Sequence, residues 1–203
     1  ILENTPRIDY TGGGAGSLLL EPSRTNLIEY SEYLLDGSND SEVTITHTAE
    51  TNPSGTSFAY KTTAIDSVND KIRYGSGSKT GDYYFSAFIK GDGNANQIRI
   101  RSFGTILATD MFWDIAADGI VAFNTNISTT DGEPITEDYG NGWYRVGLFG
   151  EYNGVGTAYV DIRPSVGDQS ASTYIWGVQW ELGSYPTSYI PTYGTSQTRA
   201  DEN

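Results

Sequence analysis

The chain has 203 residues, no cysteine, a single histidine, and 26 acidic against 12 basic residues for a formal net charge of −14. Those counts exclude disulfides, thiolate metal sites, cysteine nucleophiles and any centre that needs two imidazoles, and the charge opposes long-range attraction to nucleic acid or an anionic membrane. No apolar run approaches the roughly 20 residues needed to cross a bilayer as a helix, so no membrane insertion is expected.

The chain opens Ile1-Leu2-Glu3, without a basic n-region or an apolar h-region, and reads as a piece of a longer polypeptide. Residues 1–16, with Pro6 and the run Gly12-Gly13-Gly14, form a partly extended terminal segment. Beyond them no window keeps a helical period, and short alternating runs are separated by Gly, Pro, Asn and Asp. Strands are predicted over 17–28, 43–48, 57–63, 71–74 and 83–90, then over 97–103, 111–115, 119–123, 136–139, 143–152, 158–163 and 173–182. The stretches 36–42 and 91–96 are polar connections, and 194–203 is a polar tail. A dozen short strands with tight turns and 24 glycines predict one domain over 1–203. Its expected fold is an all-β, two-sheet antiparallel sandwich of jelly-roll type with very little helix.

Alternation sorts the arginines by face. In QIRIRSF (97–103), Ile98 and Ile100 in the core leave Arg99 and Arg101 on the outer face. In WYRVGLF (143–149), Tyr144, Val146 and Leu148 point inward and Trp143, Arg145 and Phe149 outward. In AYVDIR (158–163), Tyr159, Asp161 and Arg163 point outward, and in KIRY (71–74) Lys71 and Arg73 share a side. Two readings compete for such arginines: cross-strand pairing with Asp and Glu, or a sugar groove in which planar forks bind hydroxyls, carboxylates or sulfates beside aromatic rings. In YIWGVQW (174–180), strict alternation puts Tyr174, Trp176, Val178 and Trp180 on one face, read as core. Gln179 and Glu181 then lie opposite, where Gly177 leaves room for a polar groove floor.

Catalytic patterns are missing. The E-x-D-x-x-E strand of sandwich glycosidases does not occur, His47 lacks the glutamine of a Q-x-H lyase strand, and no serine sits in a G-x-S-x-G elbow. His47 is read as a surface strand residue. Asp36, Ser38, Asp40 and Glu42 alternate as oxygen donors, but the glycine and distal glutamate of a calcium loop are absent, so a solvated acidic turn is expected. No metal ligands are assigned and no cofactor is called for, although 26 carboxylates are compatible with a structural calcium.

Three stretches carry a resemblance. PRIDY (6–10) followed by SLLLEPSRTNL (17–27), then GNGWYR (140–145), and finally WGVQWE (176–181) with GSYPTSYIPT (183–192) and TRAD (198–201) span nearly the whole chain. Together they resemble a domain found in phage tail proteins, among them fibre and receptor-binding proteins, and in secreted proteins of marine bacteria. The resemblance implies a jelly roll of the carbohydrate-binding-module type, non-catalytic and carried within a longer polypeptide, with signatures that tie the two termini side by side. It implies no ligand.

The function expected is therefore a glycan-binding module, extracellular or virion-associated, that targets a larger protein to a polysaccharide. The candidate ligand-binding residues are Arg99, Arg101, Trp143, Arg145, Tyr159, Arg163 and Gln179. Because guanidinium forks favour carboxylate and sulfate oxygens, the expected ligand is an anionic polysaccharide, with neutral glycans stacked on aromatic rings as the second choice. A structural or assembly domain of a tail fibre is the alternative from another class, and a polysaccharide-cleaving enzyme a weaker third; oligomerisation is compatible with all three.

Overall fold

Apolar residues at every second position give each strand one face to bury, and two such faces close on each other. The structure, a computed structural model, describes residues 7–9, 17–34, 39–65, 70–75, 77–106, 109–126, 134–166 and 171–201. The strands are β1 (Arg7–Asp9), β2 (Ser17–Leu19), β3 (Arg24–Asn26), β4 (Asn39–Ser41), β5 (Val43–Thr51), β6 (Ser57–Ala64), β7 (Lys71–Tyr74) and β8 (Thr80–Gly91). They continue with β9 (Asn96–Phe103), β10 (Thr109–Ile115), β11 (Val121–Asn126), β12 (Ile135–Gly140), β13 (Trp143–Asn153), β14 (Tyr159–Arg163), β15 (Ser172–Leu182) and β16 (Gln197–Arg199). One six-stranded sheet runs β11-β10-β9-β14-β7-β4 and the other β12-β13-β8-β15-β6-β5. Every pairing is antiparallel, the chain crosses repeatedly between the sheets, and no helix occurs among the described residues. The fold is the expected two-sheet jelly-roll sandwich.

Both sheets fill the space between them. Ile72, Tyr74, Ile98, Ile100, Met111, Trp113, Val160 and Ile162 of the first sheet meet Phe85, Ala87, Ile89, Val146, Leu148, Ile175, Val178 and Trp180 of the second. Polar residues of the alternating runs are thereby sent to the two outer faces.

Two expectations fail at breaks in the strand pattern. The predicted strand 17–28 is two short ones, β2 and β3, because Pro22 offers no N–H to a ladder. The predicted alternation in 174–180 is interrupted by a bulge: β15 pairs Trp176 with Phe88 but Gln179 with Ser86. Gly177 sits there at φ +60, in the left-handed region. Tyr174 and Trp176 therefore share the outer face with Gln179 and Glu181, whereas Val178 and Trp180 enter the core. The polar stretch 36–42 also contains a strand, β4, at the edge of the first sheet. Asp36 and Ser38 of the acidic turn, like Pro6, Tyr10 and the Gly12–Gly14 run, lie outside the described residues.

The segment 183–193 lies over the outer face of the second sheet and residues 27–31 run beside the edge of β15, together forming a terminal layer. β3 pairs with β16 (Asn26↔Gln197, Thr25↔Thr198, Arg24↔Arg199), so the opening and closing signatures do lie side by side. Leu27 N–H donates to Trp180 O at 2.8 Å and Val178 N–H to Ser31 O at 2.9 Å. Beneath this layer Phe88, Trp143, Trp176 and Ala59 form a second apolar cluster, packed by Tyr189.

Burial also sets the alkaline limit of the fold. Tyr84 and Tyr152 are each 2% exposed; loss of hydration pushes the Tyr84 hydroxyl up and that of Tyr152 up to about 12. The unfolded chain ionises tyrosine near 10, while the folded chain holds these protons longer. Stability present below pH 10 is thus expected to fall as pH rises through 10 to 12, by about 1.4 kcal/mol per pH unit for each such ring. Urea midpoints at pH 9 and pH 11 check this; equal midpoints would mean that the rings ionise inside the fold.

Candidate functional site

The outer face of the first sheet gathers the arginines that alternation picked out. Strand alternation delivers Lys71 and Arg73 from β7, Tyr159, Asp161 and Arg163 from β14, Gln97, Arg99, Arg101 and Phe103 from β9, and Asp110, Phe112 and Asp114 from β10. Five of the chain's 12 basic residues thus gather on one face of an acidic protein.

Register decides how they interact. Arg73, Asp161, Arg101 and Asp110 lie opposite one another on four neighbouring strands, a row of alternating sign. Arg73 grips Asp161 through two bonds, Nε to Oδ1 at 2.7 Å and Nη2 to Oδ2 at 2.8 Å. Arg99 donates twice to Asp110, and Arg163 Nη2 reaches Asp70 Oδ1 at 2.6 Å. Arg101 differs. Its Nε has no hydrogen-bond partner among the described residues, Asp110 Oδ2 stands 3.8 Å away, and the side chain is 39% exposed. It is the guanidinium of this face without a hydrogen-bonded carboxylate.

The aromatic rings here are themselves stacked by cations. Phe103 and Tyr159 are stacked with centroids 4.4 Å and planes 26° apart; Arg101 lies over the Phe103 ring at 4.2 Å and Arg73 over the Tyr159 ring at 3.7 Å. The four form a guanidinium–ring–ring–guanidinium stack, which holds the Arg101 fork in place. Along β9 the face continues into an open depression of about 510 Å³, with Gln97, Asp114, Ile120 and Ala122 in its lining. Gln97 Nε2 donates to Asp114 Oδ1 at 2.7 Å, and Asn124 donates to the other oxygen of the same carboxylate.

Of the seven residues singled out from the sequence, Arg99, Arg101, Tyr159 and Arg163 share this face, and Trp143, Arg145 and Gln179 do not. The latter three lie on the outer face of the second sheet, under or beside the terminal layer. Trp143 is 1% exposed and donates Nε1–H to Thr51 O at 2.7 Å. Arg145 is 3% exposed and binds Ser86 Oγ through Nε at 3.2 Å and Nη2 at 2.9 Å. Both follow the tight turn Gly140-Asn141-Gly142, whose three residues all have positive φ. Gln179 is fully buried: its Nε2 donates to Glu181 Oε1 at 2.8 Å and its Oε1 accepts Ile190 N–H at 2.7 Å. Glu181 accepts Thr187 N–H at 2.8 Å and Thr187 Oγ1–H at 2.6 Å. These two residues are therefore occupied in holding the 183–193 segment, and do not form an open groove floor.

Alternation identified the arginines of the first sheet, but it could not identify their partners. Asp110 and Asp161 required the strand order, and Asp70 sits outside any strand. His47 is exposed on β5 as expected, with its ring 4.5 Å from Phe58. No group of three or more His, Asp or Glu poised for a metal occurs among the described residues.

No protein-family model matches the sequence, and no curated protein matches it. Among solved structures the chain is similar to the CBM22-1 xylan-binding domain from Paenibacillus barcinonensis Xyn10C. That likeness has 13% identity and a TM-score of 0.47, covering 80% of this chain and 94% of that one. It is also similar to the CBM22-1–GH10 modules of Clostridium thermocellum endo-1,4-beta-D-xylanase 10B complexed with xylohexaose. There the identity is 13% and the TM-score 0.43, over 77% of this chain and 27% of that one. At such identity the likeness concerns the fold alone.

Proposed function

We propose that this protein is a non-catalytic glycan-binding module that uses the outer face of the β9–β14–β7 sheet. The reading includes its extracellular placement within a longer polypeptide, such as a phage tail protein or a secreted polysaccharide-active protein. Ends that pair with each other, as β3 and β16 do, suit a module spliced between other domains.

Arg101 carries the reading. A fork held over Phe103, half-exposed and without a hydrogen-bonded carboxylate, supports recognition of an acidic sugar through a bidentate charge-assisted contact worth about 1.5–3 kcal/mol. Arg73, Arg99 and Arg163 already spend their forks on aspartates, so one strong anionic contact per site replaces the three that an unpaired cluster would have offered. Affinity for a polymer then grows by repetition along the chain.

Affinity electrophoresis through alginate, carrageenan, laminarin and xylan tests it. Arg101→Ala is expected to weaken retardation by the acidic polymers tenfold or more, roughly the value of one such contact. Arg145→Ala, on the covered sheet, is expected to lower stability and leave retardation of the folded fraction unchanged. Equal retardation of wild type and Arg101→Ala by alginate and carrageenan would remove this face from the site. The ion-paired state of the other three arginines favours a second reading, a structural domain of a fibre, and absence of retardation by every polymer would select it.

A further inference from the structure

A different corner of the molecule gathers exposed aromatic rings. Residues 28–34 run along the terminal layer and then insert Leu34 into the main core. At that turn Tyr33 is 38% exposed and Tyr193 63% exposed, their centroids 6.4 Å apart at 70°. Tyr33 in turn stands 5.1 Å from Phe58, and Phe58 is 4.5 Å from the exposed ring of His47. Four rings from four chain segments make one continuous aromatic corner.

Its frame is fixed by reciprocal bonds immediately beside the exposed rings. Ser31 N–H donates to Thr192 Oγ1 at 2.9 Å, Thr192 N–H to Ser31 Oγ at 2.8 Å, and Thr192 Oγ1–H to Ile28 O at 2.6 Å. Gly194 N–H closes the next turn on Glu29 O at 2.7 Å. Tyr33 and Tyr193 are thus mounted on a rigid base, which reduces the ordering cost of binding. Beside them the half-buried Glu32 interacts with the Tyr193 hydroxyl and, at a marginal 3.5 Å, with the Tyr189 hydroxyl, which Ser31 Oγ engages more closely at 2.6 Å.

We propose that this corner is a glycan site separate from the Arg101 face, taking one pyranose unit of a neutral polysaccharide. The sugar's C–H face stacks on Tyr193, with the Tyr33 ring standing edge-on beside it, and one of its hydroxyls donates to Glu32. The pairing of open rings with a carboxylate selects this ligand class. An apolar protein partner would strip water from Glu32 without replacing its hydrogen bonds, and interface cores are depleted of such charges. A hydroxylated ring offers the apolar face and the donor together. The negative carboxylate also disfavours an acidic sugar at this position.

The test is affinity electrophoresis of the whole chain through laminarin, xylan and glucomannan with wild type, Tyr193→Ala, Tyr193→Phe, Glu32→Gln and Arg101→Ala. Tyr193→Ala is expected to lose about tenfold in affinity for the polymer that retards wild type, Tyr193→Phe to keep the affinity, and Glu32→Gln to lose severalfold. Arg101→Ala keeps it, so this site and the Arg101 face stand or fall separately. With Tyr193 largely outside the packed layers, an unchanged melting curve certifies the variant. Retardation by none of the three polymers, or equal retardation of wild type and Tyr193→Ala, overturns the proposal. So does sedimentation showing that Tyr193→Ala abolishes a self-association of wild type in the absence of any glycan binding.

Discussion

Asn26→Ala is expected to lower the unfolding free energy by about 3–5 kcal/mol. Asn26 is fully buried between the terminal layer and the β15 bulge. Its Nδ2 donates to Val178 O at 3.1 Å and Ile190 O at 2.9 Å, and its Oδ1 accepts Ile28 N–H and Trp180 N–H, both at 3.1 Å. Each of those four backbone groups loses a partner where water does not reach, and an orphaned buried group costs about 1–3 kcal/mol, partly recovered by relaxation. For a domain of this size each kcal/mol is worth about 2–4 °C, so the melting midpoint drops by about 6–20 °C. Urea denaturation with an unchanged slope identifies the loss as stability alone. Thr198→Ala, which removes only the exposed 2.8 Å contact with Thr25 Oγ1, is the control, with an expected cost under about 1 kcal/mol. If the two variants melt alike, Asn26 is not the link between the terminal signatures.

Gly177→Ala is expected to cost about 2–4 kcal/mol, from two causes that act at one atom. At φ +60 a non-glycine residue carries about 1–2 kcal/mol of steric penalty. The new Cβ would also stand 2.8 Å from Phe88 Cδ2 and 3.3 Å from Tyr189 Cζ, in the packed cluster under the terminal layer. Neither ring is free to retreat, because Phe88 and Trp176 are held at 5.3 Å and Tyr189 closes on both. The consequence reaches beyond stability, since the bulge is what turns Gln179 and Glu181 toward the 183–193 segment. A variant that straightens β15 would turn Trp180 out of the core and loosen the clasp, read as faster proteolysis after Leu182 and a loss of near-ultraviolet tryptophan signal. Wild-type stability in Gly177→Ala would show that the bulge is held by other residues.

The sequence by itself determined the strand class, most strand positions, the inward sets Ile98/Ile100, Val146/Leu148 and Val160/Ile162, and the adjacency of the two terminal signatures. The strand readings rest on local information, a period of two and turn residues, whereas the adjacency of the signatures is what the resemblance implied. The short edge strand β4 and the terminal strand β16 escaped because three polar residues carry no periodicity; their pairing partners define them. In 174–180 the period of two was itself misleading, since one left-handed glycine inverts every side chain beyond it. Only the tertiary structure decided which outward residues meet water. Arg145 and Arg101 obey the same alternation rule, yet one is sealed in the covered sheet and the other is 39% exposed on the open one. Strand order, a relation between residues as distant as Arg73 and Asp161, chose the ion pairs and left Arg101 without a carboxylate of its own. A strand's sequence specifies its two faces, but what lies over each face is set by other segments of the chain, some of them about ninety residues away.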